Sequence, residues 1–252
     1  MSAFFQDAVD LWWTKKSVNA SASGGAQGGS RNENLSGNTM DGFAYALKRA
    51  AIANNYPSDR LFVGKQNQPD AANVPSVYRA SKTLDLIALR NPQEHQGLKR
   101  HLDATCEMKS QKGSVGNNQN NRIEEALGSA HDLHASWAAG LFGDGPRRPF
   151  FGYVFVMDRT TAMEPVRVNL PHFPAAPEFA PHGGPMIGKF AGLSYVDRYR
   201  SSFLQMVNHG LYDAVCLIVS EPPAPGQRAL CIEPEPLLGS DVFLQRFLAR
   251  LS

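Results

Sequence analysis

Cysteine is scarce: Cys106, Cys216 and Cys231 are the only three in 252 residues, and no two stand at CxxC spacing. A disulfide framework and a zinc ribbon are therefore excluded, and a reducing, intracellular setting is the simplest inference. Charge of one sign is also lacking. The 25 Lys plus Arg against 23 Asp plus Glu give a formal +2, too little for bulk charge to mark a nucleic-acid binder. No apolar run approaches the roughly 18 residues of a membrane helix. The amino terminus carries Asp7 and Asp10 and no basic leader, so a secretory signal is not expected. The glycines from 24 to 29 have no strand before them and no Gly-Lys-Ser/Thr after, which excludes a phosphate-binding loop. There is no internal repeat.

What the chain does have is 42% hydrophobic and 19% charged residues, the balance of a globular protein that buries a substantial core. From Ser2 to Lys16 the spacing of Phe4, Phe5, Ala8, Val9, Leu11, Trp12 and Trp13 predicts an amphipathic helix behind a Ser2 cap, packed on the main body. Ser17 to Thr39, rich in Gly, Ser and Asn, reads as a flexible loop or arm. A helix is expected from Asp41 to about Asn54, stopped by Pro57. Leu61–Gly64, Thr83–Leu89 and His101–Ser110 read as antiparallel strands separated by turns. A long helix is expected from about Asn120 to Trp137, with Ile123, Ala126, Leu127, Ala130, Leu133 and Trp137 on one stripe.

Phe150–Met157 is a continuous apolar run of the kind that forms a buried strand. Six prolines between Pro165 and Pro185 make that stretch a long loop, and long loops in compact domains tend to be functional. Leu193–Asn208 reads as a helix, Tyr212–Ser220 as a strand, and Ser240 as the cap of a closing helix. The order predicts an α/β domain, a mixed sheet with helices on both faces.

The strand His101–Ser110 carries the most chemistry. Alternation sends Ala104, Cys106 and Met108 to one face and Asp103, Thr105, Glu107 and Lys109 to the other. On the preceding strand Asp85 lies opposite Leu84, Leu86 and Ala88, an acid inside an apolar segment. If the two strands pair, Asp85 approaches Glu107 and Lys109. Two carboxylates supply hard oxygen ligands for Mg²⁺, and a lysine either stabilises charge on a phosphate or orients and activates the attacking water. The chemistry that fits is metal-assisted phosphodiester hydrolysis. An ordinary cross-strand ion pair is the other reading. With 23 acids and 9 lysines, an acid-x-lysine triplet is expected roughly once by chance. Glu107-Met108-Lys109 is the only one, and its position on a strand after a strand aspartate is what gives it weight.

The residues that follow include Lys112, Asn117, Asn118, Asn120, Asn121 and Arg122, side chains that reach base edges and phosphates, although some of these asparagines only cap or close a loop. Charge is concentrated here: residues 77–122 hold eight basic and four acidic side chains, net +4, against −2 for the remainder. His131 and His134 are three apart on the expected helix but have no further ligand at a usual spacing, so a core or surface role is expected. Cys106 points away from Glu107 and reads as a buried, inert thiol.

Cys106-Glu107-Met108-Lys109-Ser110-Gln111, with the run from Gly116 through Asn120, Asn121, Arg122, Ile123, Glu124 and Glu125 to Leu133, resembles the XhoI family of type II restriction endonucleases. So do Met40-Asp41-Gly42-Phe43, Leu84-Asp85, Arg148-Pro149-Phe150, Pro171-His172-Phe173-Pro174 and Pro177-Glu178-Phe179, in order from about residue 38 to about residue 220. The resemblance implies the restriction-endonuclease-like PD-(D/E)xK fold in a single domain, 1–252, with a flexible segment at about 17–39.

It also implies Mg²⁺-dependent cleavage of double-stranded DNA at CTCGAG or an extended form, after the first C, leaving four-base 5′ overhangs. The catalytic motif falls on Asp85, Glu107 and Lys109, with Asp85, Glu107 and the backbone carbonyl of Met108 as metal ligands. Leu84 stands where the family often has proline. Asp41 is either an additional acid near the metal or an acid favoured by its helix dipole. A palindromic target implies a homodimer, with the 17–39 arm and the 165–185 loop as candidates for wrapping DNA or joining subunits. A prokaryotic cytoplasmic setting is expected. A repair nuclease of the same fold and a non-cleaving DNA-binding protein are the alternatives.

Overall fold

The computed structural model describes residues 3–22, 39–64, 72–90, 101–113, 115–143, 145, 147–163 and 192–252. The proline-rich loop 165–185 and residues 23–38 of the expected arm lie outside the described residues, as does Ser2.

Phe150–Asp158 and Ala214–Glu221 are near-continuous apolar runs because both are covered on both faces. Numbered in chain order, the strands are β1 (Leu61–Val63), β2 (Asn73–Pro75), β3 (Ser81–Thr83), β4 (Leu86–Leu89), β5 (Leu102–Gln111), β6 (Phe150–Asp158), β7 (Ala214–Glu221) and β8 (Leu230–Ile232). The helices are α1 (Gln6–Ala22), α2 (Asp41–Ala53), α3 (Val115–Ala138), α4 (Arg159–Ala162), α5 (Tyr195–Asn208) and α6 (Ser240–Leu251). A mixed sheet runs β1-β4-β5-β6-β7-β8, and β2 and β3 form a separate hairpin. The β5–β6 and β6–β7 pairs are parallel, joined by crossovers that contain α3 and α5, and the outer pairs are antiparallel. This is the expected α/β architecture with helices on both faces.

One core gathers Phe5, just before α1, with Trp12, Phe43, Leu47, Phe243 and Phe247 of α1, α2 and α6 against Ala104, Cys106, Met108, Val154 and Val156 of the sheet. The other packs Ala126, Ala130 and Leu133 of α3 and Tyr199 and Phe203 of α5 against Phe151, Tyr153 and Phe155. The alternation expected of β5 is therefore present at residues 104, 106 and 108. Among the described residues no helix is long and apolar enough to cross a membrane.

Four expectations are corrected. First, helix α1 continues to Ala22, beyond Lys16, because no Gly or Pro interrupts it before Gly24. Second, Ser240 is not the cap of α6. Gly239 is, while Ser240 is the first helical residue, donating its N–H to Glu233 Oε1 and accepting Phe4 N–H on its hydroxyl.

Third, α3 begins at Val115 and not near Asn120, so the amide-rich run from Gly116 is helical. Its buried stripe opens with Val115 and continues through the amide of Gln119 to Ala126, Ala130 and Leu133. Leu127 and Trp137, expected on that stripe, are exposed.

Fourth, Thr83–Leu89 is not one strand. It breaks at Leu84–Asp85, leaving Lys82 on β3 and placing Asp85 just before β4. Leu84 consequently packs in the α3–α5 core with Ile87 and Leu89, whereas Leu86 and Ala88 face the other. The break is held from both sides: Leu84 N–H donates to Ala72 O, and Gly64 N–H to Asp85 O at 2.9 Å. Gly64 is the residue that this close approach requires, because a Cβ there would lie 2.1 Å from the carbonyl oxygen of Leu84.

Candidate active site

Strand pairing brings the expected trio together at the point where β4 begins. The β4–β5 register sets Leu86 opposite Cys106, so Asp85 stands beside the Glu107–Lys109 segment. Its Oδ2 accepts the backbone N–H of Met108 at 2.7 Å. Glu107 projects from the opposite face of β5 to Cys106 and Met108, and its Oε1 lies 3.0 Å from Lys109 Nζ. Lys109 is the more open partner, its side chain 33% exposed against 10% for Glu107.

Lys82, on β3 of the hairpin, completes the cluster. Its ammonium is 3.0 Å from Glu107 Oε2 and also donates to Ser129 Oγ of α3. Each Glu107 oxygen thus has a lysine on it. Burial alone would raise the Glu107 pKa, but the Lys109 and Lys82 ammoniums outweigh it and hold the carboxyl down to about 2. Burial would likewise lower the pKa of Lys109, and the carboxylates of Glu107 and then Asp85 reverse this and raise it. Both carboxylates therefore act on the same ammonium, which is the electrostatic sign of their convergence.

Asp103 was expected on the face of Glu107 and Lys109. A register shift between Ala88 and Leu89 takes it out of line, and it pairs instead with Arg90 (2.6 Å) and accepts from the Tyr56 hydroxyl (3.1 Å). Asp41 is the first residue of α2, buried, 3.9 Å from Lys15 on α1, in a position that the helix dipole favours. His134 bonds to the Leu211 carbonyl and His131 to the Tyr78 hydroxyl, the structural roles expected of them.

Of the residues expected to touch DNA, Lys112 follows β5 with its ammonium 5.3 Å above the Trp13 ring. Asn118 and Asn121 are exposed on the first turns of α3. Asn120 accepts from Arg198 Nη2 at 2.6 Å, and Arg122 pairs with Glu125 at 2.6 Å. Asn117 lies on α3, and its side chain is outside the described residues. Arg198, from α5, was not anticipated. Its other nitrogen reaches Gln119 at 3.2 Å, so it ties the amide-rich turns to α5. Lys82 was also missed, since Ser81-Lys82-Thr83 is a short polar triplet with no apolar alternation to mark which way its lysine points.

The donor set suits a hard divalent cation. Asp85, just before β4, and Glu107, on β5, offer carboxylate oxygens on neighbouring segments. Among the described residues no group of three or more His, Cys, Asp or Glu is placed to hold a metal ion. Magnesium, which keeps part of its water shell, needs fewer protein ligands than that.

The model of the family described as restriction endonuclease XhoI matches residues 19–229. The chain is 31% identical over 206 residues to the type II restriction enzyme BstVI of Geobacillus stearothermophilus, covering 81% of this chain and 83% of that protein. It is 34% identical over 177 residues to the type II restriction enzyme XhoI of Xanthomonas vasicola, covering 69% of this chain and 62% of that protein. It is 39% identical over 102 residues to the type II restriction enzyme AbrI of Azospirillum brasilense, covering 40% of this chain and 42% of that protein. No solved structure matches it significantly. The chain belongs to the XhoI restriction endonuclease family, a family of site-specific deoxyribonucleases.

Proposed function

We propose that this chain, as one endonuclease domain acting in a homodimer, makes magnesium-dependent double-strand cuts in DNA at CTCGAG or an extended form of it. The cut falls after the first C and leaves four-base 5′ overhangs. Asp85, Glu107 and Lys109 are the catalytic residues. The observation that carries the reading is the junction of β4 and β5, where Asp85 is bonded to Met108 N–H at 2.7 Å and Glu107 and Lys109 lie 3.0 Å apart.

The carboxylates of Asp85 and Glu107 and the carbonyl of Met108 would hold Mg²⁺, which would supply a Lewis acid for the scissile phosphate. The chain's own groups do the rest. Asp85 is oriented by its bond to Met108, so its carboxylate is held in a fixed pose toward the cation site. Lys109, kept as an ammonium by two carboxylates, stabilises the charge that develops on the phosphate oxygens. Lys112, Asn117, Asn118, Asn120, Asn121 and Arg122, leading into and along the first turns of α3, contact bases and phosphates beside that centre. Asp41 is either an additional acid near the metal or an acid favoured by its helix terminus, where it lies 3.9 Å from Lys15. A palindrome is matched by a two-fold dimer, each subunit cutting one strand. A bacterial cytoplasmic setting accords with the family.

The test is digestion of two plasmids that differ only in one CTCGAG site, with Mg²⁺ or with EDTA. Linear product from the site-bearing plasmid in Mg²⁺ alone, with ends that map after the first C, is expected. Sequence-independent nicking favours a repair nuclease, and a gel shift without cleavage favours a binding protein.

A further inference from the structure

Lys82 is an unusual group to bury. A lysine loses its hydration there and is found inside only when paired, and this one is 7% exposed. It comes from the β2–β3 hairpin, outside the main sheet, yet its ammonium reaches Glu107 Oε2 at 3.0 Å. Ser129 Oγ, on α3, accepts from the same ammonium and fixes where it sits. The hairpin that delivers it is itself tied to α3: Ser76 Oγ donates to Asp132 at 2.7 Å, Val77 N–H to Ser136 Oγ at 3.1 Å, and Arg79 pairs with Asp132 at 3.2 Å. The two lysines on Glu107 are thus unlike. Lys109 is partly exposed on one side, and Lys82 is a buried cation on the other, carried by β3 and bonded to Glu107 of β5 and Ser129 of α3.

We propose that Lys82 is a positioning residue for DNA cleavage: anchored by Ser129 and the hairpin, it holds the Glu107 carboxylate in one orientation through Oε2, leaving Oε1 directed at the reacting centre with Lys109. The proposal rests on the reading of Glu107 as a metal-binding catalytic acid. Its physical basis is general. A ligating carboxylate is oriented by the groups that bond its remaining lone pairs, and removal of such partners typically costs about 10–100-fold in activity or metal affinity. A carboxylate with one oxygen freed rotates about its terminal torsion, which has only broad minima.

The experiment compares wild type, Lys82→Met, Lys82→Arg and Ser129→Ala on a CTCGAG duplex in Mg²⁺, and measures thermal stability in EDTA for Lys82→Met alone and combined with Glu107→Gln. Expected for Lys82→Met is a fall in kcat of about 10-fold or more, with KM for the duplex within about 3-fold. Lys82→Arg recovers part of the rate, and Ser129→Ala loses less than Lys82→Met. In EDTA the Tm lost on Lys82→Met disappears in the Glu107→Gln background, where the substitution removes an ammonium that already lacks its buried counter-charge. Wild-type kcat in Lys82→Met overturns the proposal. So does an unchanged Tm cost in the Glu107→Gln background, or a loss of rate that Lys82→Arg does not relieve. Absence of cleavage by the wild-type protein instead overturns the proposed function, while the metal-free stability cycle still decides whether Lys82 acts through Glu107.

Discussion

The carboxylate of Asp85 accepts the backbone N–H of Met108 at 2.7 Å, where the β4–β5 ladder has just ended. Met108 stands between Glu107 and Lys109, so this single bond keys the acid that precedes β4 to the centre of the acid-x-lysine triplet. It also satisfies a main-chain donor that the interrupted strand leaves behind. The break at Leu84–Asp85 is therefore useful: a continuous strand would offer a carbonyl to Met108, and the side chain of Asp85 would have no such anchor.

Asp85→Asn keeps an oxygen acceptor for that N–H and removes the charge. The fold is expected to survive, with Tm close to wild type, and cleavage to drop by roughly 100-fold or more. Asp85→Ala loses the acceptor as well and is expected to be less stable by about 1–3 kcal/mol. Circular dichroism melts and single-turnover digestion of a CTCGAG duplex measure the two effects separately. Equal stability of the Asn and Ala variants would count against the anchoring role.

Gly64→Ala puts a Cβ 2.1 Å from the Leu84 carbonyl oxygen, at the backbone that presents Asp85. The strand end must shift, at a cost of about 1–3 kcal/mol, and Asp85 shifts with it. Both Tm and cleavage rate are expected to fall although residue 64 touches no substrate. A variant that cuts at the wild-type rate would show that the placement of Asp85 tolerates movement of β1.

The thiols set a limit on alkaline stability. Burial pushes Cys106 and Cys216 well above their ordinary value of 9.0 and Cys231 up to about 12. In the unfolded chain they ionise from about 9, so their neutral-state contribution is full below that pH and is lost as pH rises through the folded values. Tm is expected to decline steadily above about pH 9. At pH 8, iodoacetamide should leave Cys106 and Cys216 unmodified until the protein unfolds, and rapid native labelling of either would contradict the burial of that thiol.

Much of this architecture was legible in the sequence, for identifiable reasons. β6 and β7 announce themselves as apolar runs because both faces of the sheet are covered, and β5 alternates because Ala104, Cys106 and Met108 pack on one core while Glu107 and Lys109 turn from it. That alternation marks the acid-x-lysine triplet, while Asp85 stands out as an acid inside an apolar segment. What escaped depends on single residues. One bend at Leu84–Asp85 reverses the side on which Leu84 packs, one bulge removes Asp103, and one buried amide, Gln119, lets α3 start earlier than its apolar pattern shows. Lys82 was invisible because its burial comes from partners 25 and 47 residues away, Glu107 and Ser129.

The central claim is that Asp85, Glu107 and Lys109 form a magnesium-dependent phosphodiesterase centre for CTCGAG, and Lys109→Ala tests it most directly. Single-turnover cleavage of a CTCGAG duplex in Mg²⁺ is measured beside gel-shift affinity for the same duplex in Ca²⁺. The prediction is a rate lowered by at least about 100-fold with affinity within a few-fold of wild type. Wild-type turnover by Lys109→Ala would contradict the assignment.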